Sequence, residues 1–213
     1  MKGPGHTLKR QERSELTRAR LIQSAEKIFA RDGFEAAKLE EIAADAGYTR
    51  GAFYANFEKK EDLFFALLER EVSSRIEIAR EQLDKVGAPE DKLDALRKYL
   101  LQKSLDRRWS LLSLEFKLFA VRHPEVKTRL AAINRRFISS WVYRLEDTVK
   151  AVDHRLTASA PAVGMALSSV SNSLTVEHML DRTLMSEEDV EKILANFFDC
   201  MTGRHTSPGK GRK

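Results

Sequence analysis

The chain carries the sequence LEEIAADAGYTRGAFYAN at residues 39–56, and this stretch decides how the rest is interpreted. Its first half has the apolar spacing of a short helix and ends at Gly47. Its second half begins at Thr49, whose hydroxyl can cap a second short helix. Ile42 and Phe53 can fill the space between the two helices. The stretch therefore predicts a helix-turn-helix.

The second helix would present four residues outward at its N-terminal end, where such a motif meets base edges and phosphates. Arg50 can pair with a guanine edge or a phosphate, and the hydroxyls of Thr49 and Tyr54 suit phosphate oxygens. Gly51 has no side chain, so the backbone can approach DNA closely. Short helix pairs with a glycine turn are common, however, and in an anonymous pair these residues would simply face solvent.

The rest of the chain is also predicted to be helical. Five prolines and ten glycines fall between segments with helical apolar spacing, and no useful length of alternating pattern predicts a strand. A first helix is expected from an N-cap at Thr17 to Gly33, and a last one after Ser186, with Asp189 completing a capping box. We therefore expect an all-α protein of about nine helices. After the first, they are predicted at residues 39–46, 49–56, 60–83, 90–105, 109–122, 125–151, 160–181 and 187–201.

The charge is concentrated at the two ends of the chain. The 213 residues have a net charge of +5. Residues 1–20 hold six basic and two acidic groups, residues 202–213 hold four basic and no acidic groups, and the body between them is mildly acidic. Glycine, proline and polar residues at both ends predict flexible basic arms, residues 1–16 and 202–213. The N-terminal arm could add affinity for a phosphate backbone, or both arms could simply be solubilising tails.

Several classes of protein are disfavoured by the composition. No apolar run is long enough to span a membrane, and the charged N-terminus lacks the apolar core of a secretory signal. The single cysteine, Cys200, allows neither an intramolecular disulfide nor a multi-cysteine zinc site. The five histidines are scattered, and no zinc-protease, nucleophile-elbow or phosphate-loop motif occurs. We expect a cytoplasmic protein that is not an enzyme and uses no cofactor or metal.

The region around the predicted helix-turn-helix resembles the N-terminal domain of TetR-family regulators, in order and spacing, from about Thr17 to Phe64. The matching segments are FARDGFEA at 29–36, LEEIAADAG at 39–47, TRGAFYANF at 49–57 and KEDLF at 60–64. The resemblance implies a three-helix DNA-binding domain, residues 17–62, followed by a larger helical domain, residues 63–201, that binds an effector and dimerises.

The same resemblance assigns roles by position. It makes Thr49, Arg50, Gly51 and Tyr54 the recognition-helix contacts, and Lys60 the phosphate-binding lysine at the start of the fourth helix. The amides at that helix start would also favour a phosphate.

Two positions depart from the family pattern. Ala37 and Lys38 stand where the family commonly has two hydroxyl residues, so the cap is lost, although the charge of Lys38 could replace a phosphate contact. Asn56 stands where many relatives have histidine, and late in the helix it suits a phosphate better than a base.

Two sites are expected in the larger domain. Apolar residues on the last two predicted helices indicate a dimer interface, where the resemblance implies a four-helix bundle; burial within one chain is the alternative. The interface residues are Val163, Leu167, Val170, Leu174, Ile193, Leu194 and Phe197. Large apolar groups on the middle helices would line the effector pocket that the family implies, or form plain core. The pocket residues are Trp109, Phe116, Phe137, Trp141 and His178.

Together these features suggest a ligand-responsive repressor that binds double-stranded DNA, at a palindromic operator, as a homodimer. A small-molecule effector would release the repressor from DNA, because it would bind the released conformation more tightly than the DNA-bound one. The alternative is a helical dimer that binds a ligand or acts as a scaffold. In such a protein DNA binding would be lost, or would activate transcription.

Overall fold

The computed structural model describes residues 4–204, with their side chains except those of residues 4–10, 141 and 143. In this part of the chain nine α-helices occur and no strand, which confirms the predicted all-α fold. The helices are α1 (Pro4–Ala36), α2 (Leu39–Asp45), α3 (Arg50–Tyr54), α4 (Lys60–Asp84), α5 (Pro89–Ser104), α6 (Arg107–Arg122), α7 (Pro124–Ala151), α8 (Ala160–Leu180) and α9 (Glu187–Met201). None of these helices is both long and apolar enough to cross a membrane.

The first helix begins much earlier than predicted. Residues 4–16 are helical and continuous with the rest of α1, so the expected flexible arm is wrong for them; residues 1–3 lie outside the described part. Thr17 is not an N-cap, because its hydroxyl donates to the carbonyl of Arg13, one turn back inside the helix, at 2.8 Å. No glycine or proline occurs between His6 and Asp32, so nothing in this segment ends a helix.

The C-terminal residues after α9 are also packed. Thr202 is fully buried, and its hydroxyl donates to the carbonyl of Phe198. Arg204 pairs with Asp94 at 2.7 Å. Residues 202–204 therefore do not belong to the predicted flexible tail, and residues 205–213 lie outside the described part of the chain.

The chain divides into two compact units. The first comprises the residues up to Val72 together with Leu114–Leu130, and the second comprises Ser73–Ser113 and the residues from Ala131 onward. The first unit thus continues past residue 62, where we expected the DNA-binding domain to end.

Aromatic rings form the core of the first unit. Phe64 stacks on Phe116 with ring centroids 3.8 Å apart and on Phe34 at 4.3 Å, and Phe119 and Phe29 pack at the edges. Burying rings of this size in offset and edge contacts is strongly stabilising. The expected role of Phe116 in an effector pocket is wrong, because its ring is core of this unit.

The second unit has an aliphatic core. It consists of Leu83, Leu93, Leu96, Leu145, Val149, Val163, Leu167 and Phe198, with Leu194 also fully buried. Val163, Leu167 and Leu194 were expected at a dimer interface, and that expectation is wrong because their side chains are inaccessible within one chain.

The capping box at the start of α9 is confirmed, with Ser186 and Asp189 each accepting from the other's backbone amide.

The end of α1 is held by an ammonium group. Gly33 has φ of +78°, which breaks the helix and leaves carbonyl oxygens without helical partners. The Lys60 ammonium fills this gap, donating to the carbonyls of Phe34 at 2.7 Å, Glu35 at 3.0 Å and Ala37 at 3.1 Å. All three of its donors are used. The expected phosphate contact by Lys60 stays a prediction, and in this structure the ammonium is held by the carbonyls.

We predict that Lys60→Met lowers the free energy of unfolding by about 2 kcal/mol or more, because hydrogen bonds from a charged donor are lost and the carbonyls are left unsatisfied. Urea denaturation followed by circular dichroism measures this. Lys59→Met is the matched control, since Lys59 is exposed and has no ion pair among the described residues. Equal losses for the two variants would contradict the assignment.

Candidate nucleic-acid interface

The helix-turn-helix forms as predicted. Gly47 has φ of +77°, and the amide of Tyr48 donates to the carbonyl of Ala43 at 2.8 Å, which closes the turn. The Thr49 hydroxyl accepts from the amide of Ala52 at 3.3 Å and so caps α3. The inner faces of both helices are buried. α3 is only five residues long, and its position is fixed by this turn, this cap and its packing.

The outer face of α3 is formed by Arg50 and Tyr54. The Arg50 side chain is 62% exposed and Tyr54 is 47% exposed. The Arg50 guanidinium pairs with Glu40 at 2.9 Å and donates to the Tyr54 hydroxyl at 3.3 Å. The bond to Tyr54 and the charge of Glu40 raise the pKa of Arg50, so the guanidinium is always charged. A cation and a hydroxyl are thus presented side by side at the surface.

Gly51 is not required by the fold. Its backbone is helical, and a Cβ built there would meet only the Thr49 hydroxyl, at an ordinary contact distance of 3.7 Å. Alanine would favour the helix by about 1 kcal/mol. Nothing within the domain therefore explains a glycine here, whereas close approach of another molecule does.

Two exposed lysines flank this surface. Lys38 precedes α2 and forms no side-chain cap, which confirms that the hydroxyl cap is lost. Lys59 lies just before α4; sequence analysis passed over it in favour of its neighbour Lys60. Neither ammonium has an ion pair among the described residues. Only the structure distinguishes Lys59 from Lys60, because the partners of Lys60 are backbone carbonyls.

Asn56 is placed differently from the expectation. Its amide nitrogen donates to the carbonyl of Ala52 at 2.8 Å, and its amide oxygen accepts from the Ser14 hydroxyl at 3.1 Å. Its own carbonyl accepts from Arg18 at 3.1 Å. The side chain thus joins α3 to α1 in this structure, and its predicted phosphate contact stays a prediction.

A cavity of about 70 Å³, not counting the open solvent at its mouth, lies within the second unit. Of the five predicted pocket residues, Trp109 and Phe137 line it. His178 does not, because its ring is buried against the carbonyl of Met185 at 2.8 Å. Phe116 belongs to the first unit, and the side chain of Trp141 lies outside the described part. Sequence analysis missed the polar lining residues, which are Arg75, Tyr99, Lys103, Ser168, Ser171 and Asn172.

Comparisons with known proteins agree with this geometry. Residues 21–67 match the family model described as bacterial regulatory proteins, tetR family. The regulator TtgR of Pseudomonas putida is 40% identical over 93 residues, which are 43% of this chain and 42% of that protein. The transcriptional activator FasR of Mycolicibacterium smegmatis is 34% identical over 79 residues, 37% of this chain and 34% of that protein. These matches cover less than half the length of either relative.

The structural similarity to known proteins covers more of the chain than the sequence similarity does. The fatty acid degradation regulator FadR from Bacillus halodurans aligns over 97% of this chain and 98% of its own, with a TM-score of 0.71 at 16% identity. At that identity the likeness shows the fold alone. Residues 21–67 of the chain are thus similar to the tetR family of bacterial regulatory proteins.

Proposed function

We propose that this protein is a ligand-responsive transcriptional regulator that binds an operator in double-stranded DNA through α3, and that it acts as a repressor. The observation that carries this proposal is the outer face of α3. Arg50, Gly51 and Tyr54 are exposed there, and the fold leaves room for a Cβ at Gly51. The relatives' similarity to this segment supports the same role.

The charges around α3 suit a nucleic acid. The pair between Arg50 and Glu40 is exposed on both sides, with side chains 62% and 59% accessible. Such pairs contribute little stability, so a phosphate or a guanine edge can replace Glu40 at small cost. Lys38 and Lys59 add two cations at the margins of this surface. The specific contacts would come from α3, and the lysines would add affinity that is sensitive to salt.

A second copy of the chain is the proposed partner. The outer face of α8 is mostly small or apolar and carries one charged group, Glu177: its other exposed residues include Ala162, Met165, Ser169, Ser173 and Leu180. Met165 is 55% exposed, and Ile193 on the adjacent α9 is 43% exposed. Val170, Leu174 and Phe197, also expected at the interface, are half-buried. A face of mostly small and apolar residues permits close helix packing across a twofold axis. A twofold dimer would bind a palindromic operator.

An activator, or a ligand-binding dimer that has lost DNA binding, remains the alternative. FasR is named a transcriptional activator, so proteins that are similar to the N-terminal part of this chain include an activator. Release by an effector requires that the effector bind the released conformation more tightly than the DNA-bound one.

We predict that Gly51→Ala weakens duplex binding at least about tenfold, because the added methyl stands where the DNA backbone must approach. The same change should leave the fold intact or stabilise it by up to about 1 kcal/mol. Fluorescence anisotropy with DNA from upstream of its own coding sequence measures affinity, and urea denaturation measures stability.

Gly87→Ala is the matched control for this experiment. A Cβ at Gly87 meets nothing within 4 Å, and the residue lies in the turn after α4, in the second unit. Its duplex affinity should equal that of the wild type. An unchanged affinity for Gly51→Ala would contradict the proposed contact surface.

We predict that Met165→Glu raises the dimer dissociation constant about a hundredfold or more, because an unpaired carboxylate would be desolvated in the interface. Light scattering after size exclusion measures the mass. Gln102→Glu, at an exposed position on α5, adds the same charge and should leave the dimer unchanged. A monomeric wild type, or a dimeric Met165→Glu variant, would show that this face is not the interface.

A further inference from the structure

We propose that the cavity in the second unit takes a small organic anion, with an apolar body and one negatively charged group such as a carboxylate. This inference rests on the proposed function, in which the cavity holds the effector. It is carried by a buried arginine in the cavity lining that has an unused hydrogen-bond donor.

Arg75 is the key residue. It is only 7% exposed, and its guanidinium lies 4.3 Å from the centre of the Trp109 ring. One terminal nitrogen pairs with the Asp106 carboxylate at 2.5 Å. Its Nε–H, however, is buried and has no hydrogen-bond partner among the described residues. Buried polar groups are almost always satisfied, so an acceptor supplied by a ligand accounts for this donor.

The charges of the lining favour an anion. The carboxylate of Asp106 already balances the charge of Arg75. The charge of Lys103 is not balanced, because its ammonium has no ion pair among the described residues. None of the lining residues is acidic. A ligand with one negative charge would therefore neutralise Lys103 and accept from Arg75, whereas a cation would be repelled by Lys103 and could not accept from Arg75.

Two other polar residues of the lining, Tyr99 and Asn172, are already engaged in hydrogen bonds. The Tyr99 hydroxyl donates to the carbonyl of Arg75 at 3.0 Å, and burial raises its pKa, so it stays neutral. The Asn172 amide donates to Ser113 at 3.3 Å and accepts from Ser110 at 3.4 Å. Arg75 and Lys103 are thus the charged groups of the lining with capacity left for a ligand, beside the hydroxyls of Ser168 and Ser171.

The remaining walls are apolar and aromatic. They are formed by Leu96, Leu100, Trp109, Phe137, Leu167 and Phe198. Walls of this kind bind the hydrocarbon or ring portion of a ligand, while a few convergent polar groups fix its orientation. The chemistry that fits both parts is an amphiphilic carboxylate.

The test is calorimetric titration of the intact chain with matched probes: decanoate, decan-1-ol, decylammonium and naphthalene-1-carboxylate. We expect at least one of the two carboxylates to bind, and decanoate to bind about tenfold or more tightly than decan-1-ol. Equal affinities for decanoate and decan-1-ol, a preference for decylammonium, or failure of both carboxylates to bind would overturn the proposal.

Variants assign the binding to the two cations. Lys103→Gln removes the charge, and Arg75→Lys keeps a cation but removes the Nε–H. Each should weaken the bound carboxylate about tenfold and change decan-1-ol little. Lys98→Gln is the control, because Lys98 is exposed on the same helix and does not line the cavity. Equal effects of Lys98→Gln and Lys103→Gln would overturn the assignment, and circular dichroism confirms that each variant is folded.

Duplex binding measured on the same samples separates this inference from the proposed function. Carboxylate binding by a protein that binds no DNA would support the anion site and overturn the regulator. DNA binding by a protein that binds neither carboxylate would support the regulator and overturn the anion site.

Discussion

The break in α1 at Gly33 is the constraint on which the DNA-binding unit depends. Only glycine readily adopts φ of +78°, and the Glu115 carboxylate lies 3.2 Å from where a Cβ would stand. That carboxylate accepts from the amide of Phe34, and the Lys60 ammonium donates to three carbonyls at the same place. These contacts around Gly33 thus hold together the end of α1, the start of α4 and part of α6. The helix-turn-helix begins directly after it, at Leu39.

Within the helix-turn-helix, the residues that build the fold differ from those offered to a partner. Phe53 is fully buried, and Asn56 joins the end of α3 to α1. Arg50 and Tyr54 contact chiefly each other and Glu40, at the surface. Because the two sets are separate, the outer face can be changed without loss of the fold. This separation is what a recognition surface requires, since its residues must vary with the sequence that is bound.

The helices, the glycine turn and the Thr49 cap could be predicted from the sequence because they depend on local spacing and on single residue types. The roles of Lys60 and Asn56 could not, because their partners include backbone groups and side chains far away in the chain. The spacing of apolar residues could not identify the buried face of α8, because this helix is apolar or small on nearly every side. It therefore could not show that Val163 and Leu167 face inward. The unused donor of Arg75 is invisible in sequence, since it arises from tertiary packing.

Arg50 and Tyr54 are proposed to bind DNA and to be dispensable for the fold. The most direct test measures duplex affinity over a range of salt concentrations for the wild type and an Arg50→Ala, Tyr54→Ala double variant, alongside their free energies of unfolding. We predict salt-sensitive binding of upstream DNA by the wild type, and a loss of about a hundredfold or more in a variant of nearly unchanged stability. A double variant that binds as tightly as the wild type would contradict the contact assignment. A wild type that shows no salt-sensitive binding would contradict the regulator itself.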